Sequence, residues 1–206
     1  MNLGDRDTPV DEAAMGDAAA SYLRERPALD IGQAGAALGE CVAALDRCFA
    51  SGATVYVAGN GGSATTASHL TIDVSRAAKS IGRYESVRVV SLPDAGAAVT
   101  AIANDEDYAE VFASQLRGTI VRHDVLLSIS VSGESENLVR AAKVAAEVGA
   151  TTLAFVGDSR STLAAIVDTY VAAPVNSYGH VEDLHLSYNH AIVCALAGSD
   201  YMRVTR

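Results

Sequence analysis

Basic residues are scarce in this chain of 206 residues: 15 Lys and Arg stand against 25 Asp and Glu, a formal charge of −10. Sequence-independent nucleic-acid binding rests on cations neutralising phosphates, so this balance argues against it, while an acidic surface serves solubility without implying a basic substrate. No apolar run approaches the roughly twenty residues that a membrane-spanning helix needs. The acidic segment from Met1 to Asp17 also lacks the apolar stretch of a signal sequence, so the expectation is a soluble cytoplasmic protein. Cysteine is sparse and odd in number; Cys41, Cys48 and Cys194 have no metal-ligand spacing, which suggests buried free thiols and a reducing compartment. Internal repeats and low-complexity segments are missing. So are the Gly-x-Gly-x-x-Gly dinucleotide fingerprint and the Gly-Lys-Ser/Thr of nucleotide phosphate loops, which removes the usual support for NAD or ATP.

What the chain does have is apolar mass, with half its residues hydrophobic and 19% charged, enough for one domain with a full core. After a polar segment 1–10, expected to fray, alanine-rich stretches from Asp11 to about Arg24 and from Asp30 to about Ser51 carry apolar residues at helical spacing. These two helices have too many apolar positions to stand free and are expected to pack on a sheet or another subunit. Beyond Gly52 short apolar strands alternate with helices: Thr54–Ala58, Val87–Leu92, Asp124–Ser130, Thr151–Val156 and Thr169–Ala172, with a last helix from about Val181 to Ala197. That rhythm predicts an α/β three-layer sandwich with a five-stranded, mostly parallel sheet covered on both faces.

Ligands of open parallel sheets bind beyond the C-terminal strand ends. Two glycine and serine turns fall there, Gly59-Asn60-Gly61-Gly62-Ser63 and Ser130-Val131-Ser132-Gly133-Glu134-Ser135. Each opens a helix, and backbone N–H groups at a helix N-terminus make an anion cradle. The first turn reads equally well as a tight corner in which Ser63 caps the helix. In the second, Ser130, Ser132 and Ser135 can converge on a phosphate, or Ser135 can simply cap its helix.

Titratable groups follow on two helices. His69 and Asp73 lie four apart, hence about 40° apart on one face. Glu182, His185 and His190 share the last helix, where Glu182 and His190 fall on neighbouring faces. A His/carboxylate pair on each of two helices suits either a metal site or acid/base chemistry, and also ordinary helix-surface contacts.

These segments, together with Ala103-Asn-Asp-Glu-Asp-Tyr108 and Val181-Glu-Asp-Leu-His-Leu-Ser-Tyr-Asn-His190, resemble in order the sedoheptulose 7-phosphate isomerases (phosphoheptose isomerases) of the sugar-isomerase (SIS) domain superfamily, across essentially the whole chain. The resemblance implies a single SIS domain over 1–206 with a flavodoxin-like sheet, the helices of 1–52 packing on the sheet and in an oligomer interface. It implies an aldose–ketose isomerase of sedoheptulose 7-phosphate, working as a homotetramer with sites between subunits. It further implies Asp73 and His190 as catalytic acid/base, His69, Asp73, Glu182 and His190 as ligands of one Zn²⁺, and Asn60, Gly61, Gly62, Ser63, Asp105, Ser130, Val131, Ser132, Ser135 and Glu182 as substrate contacts. Three positions depart from the family pattern. Asp73 and Glu182 stand where the family has Glu and Gln, and Gly179 replaces a sugar-holding Asp. Other readings remain: a partner-binding, non-catalytic SIS protein of the replication-initiator-associating type, a phosphosugar sensor, or an isomerase of another sugar phosphate.

Overall fold

The computed structural model describes residues 12–24, 31–198 and 201–202. Its helices and strands alternate as α1 (Glu12–Arg24), α2 (Ile31–Ala50), β1 (Thr54–Gly59), α3 (Gly62–Ile81), β2 (Arg88–Ser91), α4 (Gly96–Asp105), α5 (Ala113–Leu116), β3 (Val125–Ser130), α6 (Glu136–Glu147), β4 (Thr151–Val156), α7 (Thr162–Ile166), β5 (Thr169–Ala172) and α8 (Tyr178–Ala197). The expected frayed segment 1–10 and the expected starts at Asp11 and Asp30 lie outside the described residues.

All five strands run parallel, in the order β2-β1-β3-β4-β5. This is the flavodoxin-like order, and the chain reverses its direction of travel across the sheet between β1 and β3. Every residue of β3 is buried. Val125, Leu127 and Ile129 face a core shared with Leu45 and Phe49 of α2, Leu70 and Val74 of α3, and Tyr188 and Ile192 of α8. Leu126 faces the opposite core, among Phe112, Leu116 and Leu138. The unbroken apolar runs in the sequence thus reflect strands covered twice.

Register is locked at the N-terminal edge by Asp124. Its carboxylate, in a residue only 3% exposed, accepts from Thr54 N and Val121 N, both at 2.8 Å. Since β1 and β5 are parallel and each leads into a helix on the same face, α3 and α8 run side by side in the same sense. Their seam carries the titratable groups. Outside it, α1 leans on α8: the Tyr22 ring stacks on His180 at 4.3 Å, and its hydroxyl donates to Asp183 Oδ2 at 3.0 Å.

Candidate active site

Both glycine turns lie at the β1/β3 crossover, and a pair of amides joins them. Asn60 Nδ2 donates to Asn137 Oδ1 at 3.0 Å, Asn137 Nδ2 donates back to Asn60 Oδ1 at 2.9 Å, and the Tyr108 hydroxyl adds a third bond at 3.1 Å. In the first turn Gly61 has φ 54° and ψ −121°, a conformation that a Cβ would forbid, so glycine is required where the backbone doubles into α3.

The second turn is braced from inside. Ser130, only 4% exposed, accepts from Gly133 N at 3.0 Å, and Ser132 Oγ accepts from Glu134 N at 3.2 Å. Glu134 reaches across to accept from Thr162 N at 2.8 Å and from the Thr162 hydroxyl, and those bonds, the hydroxyl's first, hold its carboxyl below the usual range. Ser135 occupies the N-cap of α6 in extended backbone, and its hydroxyl makes no capping bond. Beside this turn a cavity of about 520 Å³ opens past the ends of β3, β4 and β5, lined by Ser132, Asp158, Arg160, Ser177, Tyr178 and Val181.

The titratable cluster sits lower on the α3/α8 seam. His69 Nε2 lies 2.9 Å and His190 Nε2 3.8 Å from the same oxygen of Asp73, Oδ2, and the two imidazoles meet edge to face at 5.4 Å. The ligand atoms of all three residues lie within 4.8 Å of one another. Two imidazoles, one carboxylate and an open solvent side match the donor number and type of catalytic zinc sites. These three residues therefore fit the metal that the resemblance implied.

The family model for the SIS domain matches residues 26–157. The chain belongs to the SIS domain family. A phosphoheptose isomerase of Mycobacterium tuberculosis is 36% identical over 144 residues, covering 70% of this chain and 72% of that protein. One from Bradyrhizobium is 34% identical over 161 residues, covering 76% of this chain and 78% of the relative. In three dimensions a phosphoheptose isomerase from Francisella tularensis superposes with a TM-score of 0.77 at 24% identity, covering 89% of this chain and 98% of that one. These findings bear out the SIS-type fold and the family resemblance read from the sequence, and the named relatives are isomerases, the enzyme class it implied.

Against that family pattern one expected ligand needs correction. Glu182 does not join the cluster; its carboxylate lies where a Cβ on Gly62 would be, at the N-terminus of α3. A helical wheel puts 182 and 190 on neighbouring faces but ignores rise, and eight residues at 1.5 Å separate them by about 12 Å along α8. The carboxylate instead meets the positive end of α3, whose first turn has no acid of its own. Ser63 likewise lies inside α3, buried, and the N-cap is Gly61. Asn60 and Ser130 brace the turns, Val131 accepts from Gly157 N at 3.1 Å, and Asp105 closes α4 on the exposed surface, accepting from Asn104 at 2.7 Å.

Sequence reasoning missed Asn189. Fully buried, it donates to Asp73 Oδ2 at 3.3 Å. An amide at a position whose helical neighbours are apolar was the available signal. Gly179, the third departure from the family pattern, makes room for α1: a Cβ there would lie 2.6 Å from the Tyr22 hydroxyl.

Proposed function

We propose that the chain interconverts sedoheptulose 7-phosphate and an aldoheptose 7-phosphate, with Asp73 as the base, His190 as the acid, and the Ser132/Ser135 turn as the phosphate cradle. The observation that carries this reading is the approach of a carboxylate and an imidazole, from helices following different strands, to 3.8 Å.

Asp73 takes the proton from C1 of the ketose while His190 protonates the C2 carbonyl oxygen, giving an enediol. Return of the carbon proton to C2 and loss of the O1 proton complete the aldose, with atoms balanced and no redox partner consumed. Asp73 Oδ2 already faces His69 and Asn189, so Oδ1 is the oxygen left to the substrate. Held by His69, Asp73 and His190, a zinc ion would supply Lewis-acid polarisation of the carbonyl oxygen.

Distance shapes the assembly. From Gly62 at the first turn to Asp73 is eleven residues of α3, about 16 Å, whereas a heptose 7-phosphate stretched over eight bonds at roughly 1.2 Å each spans about 10 Å. The first turn, which Asn60 and Asn137 join to the Ser132/Ser135 cradle, thus lies farther from the acid/base pair of its own protomer than the substrate spans, and this supports a homo-oligomer in which the cradle of one copy faces the cluster of another.

Proton NMR of sedoheptulose 7-phosphate with the protein in D₂O tests both parts. A new aldose anomeric signal carrying deuterium at C2 is expected. Absence of both product and exchange overturns the reading and favours a partner-binding role. Mixing Ser132→Ala/Ser135→Ala protein with Asp73→Asn protein should restore turnover that neither shows alone if sites are shared between copies.

A further inference from the structure

The α3/α8 seam contains one group with no evident structural reason to be there. Asn189 is 0% exposed on α8, between buried Tyr188 and Ile192, and it meets α3 at Asp73. Its amide is only half satisfied: Nδ2 donates to Asp73 Oδ2 at 3.3 Å, while Oδ1 has no hydrogen-bond partner among the described residues. A buried amide with an unmet acceptor destabilises a seam that an aliphatic side chain would fill without that penalty.

Its single bond falls on the proposed base. Three nitrogens, from His69, Asn189 and His190, lie at 2.9, 3.3 and 3.8 Å from Asp73 Oδ2, and none of these contacts involves Oδ1. The terminal torsion of an aspartate is broad and nearly two-fold, so without a lock the two oxygens exchange places easily. His69 and His190 are half-exposed and approach from the solvent side; Asn189 alone approaches from within the packed seam. A donor fixed by packing on both sides is the one that can define the carboxylate plane. We propose that Asn189 is a positioning residue, orienting the Asp73 carboxylate so that Oδ2 is held and Oδ1 is presented to whatever binds the cluster. The inference rests on the acid/base reading of Asp73 for its catalytic consequence, though not for the orientation itself.

Two variants separate orientation from packing. Asn189→Leu fills the seam with apolar volume and Asn189→Ala leaves a cavity, so their thermal midpoints should move apart, the first level with or above the parent and the second below. Neither can donate to Asp73. Zn²⁺ affinity, read by competition with a chromophoric chelator, should weaken about 10- to 100-fold in both, and kcat for sedoheptulose 7-phosphate should fall by a similar factor with KM within about threefold. The proposal is overturned if cation affinity and kcat follow the thermal midpoint, with Asn189→Leu indistinguishable from the parent. Loss of Zn²⁺ affinity in both variants of a protein that turns over no heptose phosphate sustains the orientation and refutes the proposed reaction alone.

Discussion

His185 should make this protein acid-sensitive in a way that one substitution removes. The residue is 1% exposed on α8, tilted against the rings of Phe155 and Tyr188, and neither ring nitrogen has a hydrogen-bond partner of normal geometry among the described residues. Burial pushes the imidazole from its ordinary 6.5 down to about 4, opposed only in part by the Val156 backbone. A group whose folded value is depressed stays neutral in the fold and charges first in the unfolded chain. Acid therefore favours unfolding, and stability is lost as pH falls from about 6.5 towards about 4. Integrated between pH 7 and pH 5, that shift corresponds to about 2 kcal/mol per chain. Urea unfolding of the parent and of His185→Leu, at both pH values and one protein concentration, isolates it, since the other four histidines are common to both. The variant should lose about 2 kcal/mol less than the parent on acidification. It should also gain at pH 7 whatever the two unmet nitrogens cost. Equal losses in the two proteins would refute the reasoning.

Three further outcomes are expected. Gly133 has φ 68°, and a Cβ there would enter Ser161, so Gly133→Ala should cost about 2–4 kcal/mol, from left-handed strain plus overpacking, and raise KM for phosphorylated substrate; an unchanged unfolding midpoint would contradict this. Gly179→Ala meets the Tyr22 hydroxyl and should speed amide exchange across α1, an effect that Tyr22→Phe should lessen; independent, additive effects would show that the two residues do not touch. Burial, foremost, pushes the Cys41 and Cys48 thiols to about 12, so in the folded protein a thiol reagent should label Cys194 readily and the other two only on unfolding, and prompt reaction of all three would count against the described α2 core.

The fold was legible because strand and helix periods differ sharply here. The strands Thr151–Val156 and Thr169–Ala172 stand where the apolar runs put them, and the switch to helical spacing after each glycine turn placed α3 and α6 within a residue or so of their observed starts. The start of α8 was less visible: the helix was expected from about Val181, yet Tyr178 already begins it. Helical spacing put His69 and Asp73 on one face of α3, as i, i+4 neighbours are, whereas their meeting with His190 was implied only by the family resemblance. Glu182 went astray for the complementary reason, as angle without height is half a position. Asn60 and Ser130 look like ligand contacts in a string of letters. Only the packed molecule shows their polar atoms turned towards other protein groups. Asn189 was overlooked because its one signal, an amide among mostly apolar helical neighbours, does not say which side chain it meets across the seam.

The reciprocal amide bond between Asn60 and Asn137 has a consequence for how ligand is met. Because each side chain both gives and receives, the corner after β1 and the start of α6 move as one body, with Tyr108 hinged to the same joint. On the proposed function, an arriving phosphate finds the receptor already shaped, and little flexibility remains to be frozen on encounter. Affinity in such a socket is governed by how long the guest stays, and a change at either asparagine would be felt first as a shorter stay.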